Sequence, residues 1–184
     1  RRQRQMCIRD SPNIKNKYGM TALIIASMQR NNTEIIQLLL ENGANVDAQN
    51  KDGWTALMYA GLYNRIDNVR LLLQRGADPN IRDSKSNTSL VHTGFKGVGP
   101  QRLDILRMLL ENGADRNIQT KDGWTALMYA TYRGDIDIVR LLLERDADPN
   151  KRTKDGWTPL MYATDRVYID IVIVLLERGA DFNK

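Results

Sequence analysis

In the stretch Ile136 to Glu144 the apolar residues Ile136, Val139, Leu142 and Leu143 alternate with Asp137, Arg140 and Glu144. Spacings of three and four predict a helix with one apolar face. Just upstream, Ala126 to Tyr132 reads as a second short helix, broken at Arg133-Gly134. Before it, Lys121-Asp122-Gly123 is a turn signal, because glycine accepts positive φ and aspartate can bond its own backbone. The predicted element is a hairpin-like tip followed by two antiparallel helices sharing an apolar side. Helices of about eight residues are marginal alone, because a costly nucleus is followed by few hydrogen bonds. Such a hairpin must lie against a neighbour.

The chain supplies the neighbours by repetition. Lys51-Asp52-Gly53-Trp54-Thr55-Ala56-Leu57-Met58-Tyr59-Ala60 returns unchanged at Lys121 to Ala130, and again at Lys154 to Ala163 with Pro159 in place of alanine. Weaker copies begin at Lys17 and Ser84, where Thr21 and Thr88 hold the threonine position. Five units are expected, at 16–49, 50–82, 83–119, 120–152 and 153–184, after a partial lead-in at 12–15. Gly43, Gly76, Gly113 and Gly179 stand where the second helix should end in a left-handed residue, and Asp146 holds that place in the fourth unit. The third unit has extra residues between its helices, within Lys96 to Gln101. Their glycines and proline do not suit a helix interior, so an exposed loop is expected over 97–101.

A turn-helix-helix period of 33 residues, from Lys121 to Lys154, resembles the ankyrin repeat family. The resemblance is carried by Thr158-Pro159-Leu160-Met161-Tyr162-Ala163 and by Leu141 to Asn150, and it extends over residues 16–184. It implies an all-α fold, an ankyrin-repeat solenoid of stacked helix-turn-helix units with hairpin-like tips. The function it implies is binding of a protein partner through the concave face and the tips. One departure is systematic. The family's usual histidine is replaced by Ile24, Met58, Val91, Met128 and Met161, so the side-chain hydrogen bond it makes at the tip is expected to be lost. In the last helix Val172, Val174 and Leu175 look like residues awaiting a further unit, and the native chain is expected to continue past Lys184.

Composition changes this picture at one end. Arg1 to Ser11 is similar to the translation of a transposase-based sequencing adapter, and 1–11 is read as a non-native or disordered tail with the native start missing. Setting aside Arg1, Arg2, Arg4, Arg9 and Asp10 lowers the net charge from +5 to +2. Cys7, the only cysteine, goes with them, leaving no thiolate or disulfide. That agrees with a reducing, intracellular compartment. No apolar run approaches the roughly 18 uncharged residues of a membrane span.

A search for catalytic chemistry yields little. His92 aligns with Tyr59 and Tyr129 and reads as a packing residue, while Asp52, Asp122 and Asp155 read as turn-formers. Gly94 to Gly99 follows a helix and lacks the lysine-serine/threonine ending of a phosphate loop. The chain is therefore expected to be no enzyme, with no cofactor, no metal and no small-molecule substrate. Arg70, Arg107 and Arg140 could form a basic stripe for nucleic acid, but Asp67, Asp104 and Asp137 lie three residues earlier and should pair with them. Nucleic-acid binding is kept as a minor alternative. Another is that these repeats recruit substrates for a larger enzyme or ubiquitin-ligase adaptor.

The expected partner surface comprises two sets of positions. At the tips, Trp54, Trp124 and Trp157 precede the threonine, and they read either as an apolar ledge for the partner or as glue between neighbouring tips. At the end of each first helix the residues differ between otherwise copied units: Leu62 and Tyr63, Phe95, Tyr132 and Arg133, Asp165 and Arg166. Variation within a repeated frame suits a surface fitted to one partner, and aromatic residues are enriched in such surfaces.

Overall fold

The structure, a computed structural model, describes residues 11–97 and 99–182. The tail assigned to 1–11 lies outside the described residues except for Ser11. Among the described residues the secondary structure is helical, without a strand. A first row of helices comprises α1 (Ala22–Met28), α3 (Ala56–Leu62), α5 (Ser89–Val91, running on into a π-helical turn at His92–Lys96), α7 (Ala126–Arg133) and α9 (Pro159–Asp165). A second row comprises α2 (Thr33–Glu41), α4 (Ile66–Gln74), α6 (Arg102–Glu111), α8 (Ile136–Glu144) and α10 (Ile169–Glu177). Each helix packs chiefly on its hairpin partner and on its neighbours in the same row. The fold is the expected all-α solenoid, in which each unit is held by the next.

Four hairpins start the same way, while in the third Thr88 makes no side-chain cap bond. The hydroxyls of Thr21, Thr55, Thr125 and Thr158 accept the N–H groups of Ile24, Met58, Met128 and Met161, each at 3.3 Å, satisfying one otherwise orphaned donor per helix. The expected loss of a side-chain bond at this position is corrected in two units. The Met58 sulfur accepts from the Thr55 N–H at 3.5 Å, and the Met128 sulfur from the Thr125 N–H at 3.4 Å, a thioether form of the capping box. Both methionines are fully buried, so burial and capping are met by one side chain.

Behind the caps, Leu23, Leu57, Leu90 and Leu127 on the first row meet Ile36, Val69, Leu106 and Val139 on the second in one core running the length of the stack. The second-row helices end as expected, with Gly43, Gly76, Gly113 and Gly179 at φ of +83 to +85° and Asp146 forced to +61°. Asp146→Gly is expected to stabilise the protein by about 1 kcal/mol, seen as a higher urea midpoint. An unchanged midpoint would mean that a side-chain contact of Asp146 compensates the backbone.

Two expectations about the core need correction. The loop at 97–101 is exposed at Gly99, Pro100 and Gln101, but Gly97 is buried. Its N–H closes the π-helical turn onto His92 O at 2.9 Å, and a Cβ there would press on the Thr93 carbonyl. At the far end of the stack Val174 and Leu175 are buried against the preceding unit. The open apolar residues are instead Met161, Ile169, Ile173 and Leu176, because the helix turns Val174 and Leu175 toward the covered side.

Candidate functional site

Each tip is built around one polar residue that sequence reasoning did not single out. Asn16 Oδ1 accepts the N–H groups of Tyr18 and Met20, and Asn50 Oδ1 those of Asp52 and Trp54. Asp83 Oδ1 accepts those of Lys85 and Asn87, while the hydroxyls of Thr120 and Thr153 accept those of Trp124 and Trp157. The turn is therefore closed by the residue two before the aspartate. Asp52 and Asp122 are exposed and contribute backbone carbonyls, which accept from Ser84 N and Lys154 N of the following tip. The reading of those aspartate side chains as turn-formers is corrected accordingly. The recurrence of a small polar residue at the head of each unit was the available signal.

A second ladder ties each loop to the next. Asn13, Asp47, Asn80, Asn117 and Asn150 accept through their side chains the N–H groups of Asn45, Asp78, Asp115, Asp148 and Asp181, at 2.7–3.1 Å. Asn13 thus does for the first unit what Asn80 and Asn150 do further along, so the lead-in residues work as the end of a unit.

On this frame the aromatic residues stack. The Trp54 ring sits between Tyr59 at 4.9 Å and His92 of the next unit at 3.8 Å. Trp124 sits between Tyr129 and Tyr162, each at 4.6 Å, and Trp157 lies on Tyr162 at 5.0 Å. Burial pushes the phenols of Tyr59, Tyr129 and Tyr162 above their usual range, so they stay neutral. In the third unit Asn87 takes the tryptophan position, and Phe95 replaces the missing indole by packing on Tyr129 at 4.3 Å. The π-helical turn carries Phe95, so the irregular helix restores the stack that Asn87 interrupts.

The unit also holds a buried histidine–carboxylate contact. His92 Nε2 lies 2.8 Å from Asp83 Oδ2, with both side chains almost wholly inaccessible. Burial alone would raise the Asp83 pKa. Hydrogen bonds from His92, from the Asn87 side chain and from the N–H groups of Asn87 and Lys85 outweigh it and bring the pKa down to about 2. His92 is a packing residue with a charged partner that the sequence did not reveal.

The side chains proposed for partner contact separate into two kinds. Trp54, Trp124 and Phe95 are half-buried within the stack and hold tips together. Arg133 is also engaged, donating to the Phe95 carbonyl and, through Nε, to Asp135 at 3.1 Å. Tyr63 and Tyr132 remain open, at 42% and 36% exposure. Tyr63 lies parallel to Tyr59 at 6.3 Å, with Leu62 half-buried beside it. Tyr132 stands edge-on to Trp124 and Tyr162, with the Arg166 guanidinium 4.0 Å over its ring and Asp165 3.8 Å from Arg166 Nε. Trp157 is exposed at the same end. The structure therefore gathers Tyr132, Trp157, Asp165 and Arg166 into one group around Tyr162, and keeps Leu62 and Tyr63 in another with Tyr59.

Elsewhere the surface carries mixed charge. Arg70 pairs with Asp67 at 3.0 Å, Arg107 and Arg140 stand exposed, and the corresponding place on α10 holds Ile173. Among the described residues no cluster of three or more histidine, cysteine or acidic side chains is arranged to hold a metal ion, and no helix is long and apolar enough to cross a membrane.

Residues 4–83 and 98–184 match the family model for ankyrin repeats (3 copies). The chain is 37% identical over 76 residues to the human 2-5A-dependent ribonuclease, covering 41% of this chain and 10% of that protein. It is 35% identical over 80 residues to the human mitochondrial disaggregase, covering 44% of this chain and 11% of the relative. The human SH3 and multiple ankyrin repeat domains protein 2 is 34% identical over 82 residues, 45% of this chain and 4% of the relative. The chain thus matches about a tenth or less of the length of these relatives.

Proposed function

The chain belongs to the ankyrin repeat family, and from that premise we propose that it is a protein-interaction scaffold that grips a partner through its concave face and hairpin tips. Ankyrin repeats are generally protein-interaction modules. The observation that carries the finer reading is the contrast between aromatic residues used in stacking and those left over. Trp54, Trp124 and Phe95 are occupied by neighbouring rings, whereas Tyr63, Tyr132 and Trp157 present open surface beside Arg166 and Asp165. Exposed, preorganised aromatic rings next to an arginine are the residues that commonly dominate interface energies.

The test uses peptides selected from a displayed random library against the whole chain. Tyr63→Ala combined with Tyr132→Ala is expected to weaken the selected binders by about tenfold or more, with circular dichroism still reporting a folded protein because neither ring belongs to the buried core. Undiminished binding to a folded double variant would remove the surface from this place. Trp54→Ala, by contrast, is expected to destabilise the fold by about 3 kcal/mol, measured by urea unfolding, because it empties a site between Tyr59 and His92.

A second reading, in which these repeats recruit substrates for a larger enzyme or adaptor, is favoured by the small share of the ribonuclease and the disaggregase that the chain covers. A catalytic domain in the uninterrupted gene would support it. Nucleic-acid binding, the minor alternative, predicts affinity that falls steeply with salt, and salt-insensitive or absent binding of DNA and RNA would dismiss it.

A further inference from the structure

In the row of rings along the tips, an indole fills one place, between the ring of its own first-row helix and the equivalent ring of the next unit. Trp54 lies so between Tyr59 and His92, and Trp124 between Tyr129 and Tyr162. The corresponding place in the third unit lies between His92 and Tyr129, and residue 87, which would fill it, is asparagine. Its side chain turns onto Asp83, donating through Nδ2 to both carboxylate oxygens at 3.0–3.1 Å. Phe95 restores a ring contact on Tyr129 from the end of the helix, but the tip side of the row stays unfilled.

A cavity of about 210 Å³ occupies that place, with Asn87, His92, Phe95 and Tyr129 among its walls. Asn87 and His92 are buried and the other two rings half-buried, while Lys85 and Asp122, which also line it, are exposed. The cavity therefore runs inward from an opening between the third and fourth tips. Those tips are fastened together by the Lys121 N–H, which donates to the Lys85 carbonyl at 3.1 Å. An occupant would enter without separating the units, so the site is preorganised. Pockets for drug-sized ligands hold about 300–1,000 Å³. This smaller one suits a single fused ring system, and three of its walls are rings able to make offset-stacked or edge contacts.

Resting on the protein-binding reading above, we propose that this slot receives a tryptophan side chain of the partner, which supplies from outside the indole that the third unit lacks. The chain itself identifies the occupant, since the same place between equivalent rings holds an indole in the second and fourth units. The Asp122 carboxylate, at the exposed side of the slot, is an acceptor for the indole N–H. Along the stack the third unit separates Tyr63 in the second from Tyr132 in the fourth. The partner's tryptophan would then be the central, desolvated anchor between the two open aromatic groups.

The experiment titrates the full chain with a fluorinated indole and follows both by NMR. The fluorine signal is expected to broaden and shift, and the amide signals of Asn87 and Tyr129 to move while that of Tyr63 does not. Asn87→Trp fills the slot from within, using the residue that the second, fourth and fifth units carry at this position, and is expected to abolish the response with circular dichroism unchanged. Peptides selected against the chain are expected to carry a tryptophan. Changing it to alanine should weaken binding to the parent about thirtyfold and have little effect on binding to Asn87→Trp. No response to millimolar indole, shifts confined to residues outside the slot, or equal responses from the parent and a folded Asn87→Trp would overturn the proposal. Should Asn87→Trp not fold, the amide shifts of the parent decide alone. Peptides indifferent to Asn87→Trp yet weakened by the Tyr63 and Tyr132 changes would sink the slot and leave the proposed partner surface standing.

Discussion

Asp83→Ala is expected to destabilise the protein by about 3 kcal/mol or more, the largest effect of any single side chain outside the apolar core. The carboxylate is buried and accepts from the N–H groups of Lys85 and Asn87 at 2.8 Å, from Asn87 Nδ2 at 3.0–3.1 Å and from His92 at 2.8 Å. Alanine would leave these donors inside the protein without their acceptor. The neighbouring units suggest the rescue. Asn50 closes the same turn while its Nδ2 contacts the Tyr59 hydroxyl at 3.1 Å, so Asp83→Asn with His92→Tyr rebuilds a pair the protein already uses. The double variant is expected to unfold within about 1 kcal/mol of the parent, with the coupling read from a double-mutant cycle in urea. A loss below about 1 kcal/mol for Asp83→Ala would contradict the assignment of those four donors.

The same group gives the protein a defined acid response. Its folded pKa of about 2 lies below the ordinary carboxyl value of 3.8, so the native state favours the ionised form. The stabilisation is fully present above the unfolded value and is lost as pH falls from near 4 through about 2, amounting to about 2 kcal/mol. Urea midpoints measured across that window should fall more steeply for the parent than for the Asp83→Asn, His92→Tyr variant. Parallel curves would mean that other carboxylates account for the acid sensitivity.

Gly123→Ala is expected to cost about 3 kcal/mol and Gly113→Ala only about 1 kcal/mol, although both residues have φ above +80°. The left-handed backbone penalises alanine at either site. At Gly113 a Cβ would meet nothing within 4 Å, so that penalty is the whole effect. At Gly123 a Cβ would come within 2.9 Å of Thr153 Cα and Lys154 N, which are backbone atoms of the next tip. The tips would have to separate, taking the Lys154 to Asp122 hydrogen bond and the Trp124 to Tyr162 stack with them. Urea unfolding of the two variants provides the comparison, and equal losses would mean that the tips are not locked to one another.

Much of the site resisted a reading from sequence because its contacts join residues about one unit apart. Trp54 and Trp124 recur in identical decapeptides, so sequence alone left ledge and glue equally open. Rings from the following unit decide for glue at both. Phe95 varies like a partner-binding residue, yet it substitutes for an indole that Asn87 does not provide. Tyr63 and Tyr132, one residue apart in register near the ends of their first-row helices, were legible as open surface because no periodic apolar partner claims them.

What the amino-acid order determined by itself was the unit: two short helices, a left-handed glycine and a tight tip. Each of these depends on residues within four or five positions, where backbone sterics and helical periodicity govern. The requirement that units stack also followed from sequence, since a lone hairpin cannot bury its apolar side. The tertiary structure alone decided that Asp83 pairs with His92, that methionine sulfur takes up a capping bond, and that Ile173 and Leu176 face outward where Val174 and Leu175 face in. These outcomes turn on angles and depths to a fraction of a side chain, set by how one hairpin rests on the next. Local periodicity states which face is apolar but not what lies against it.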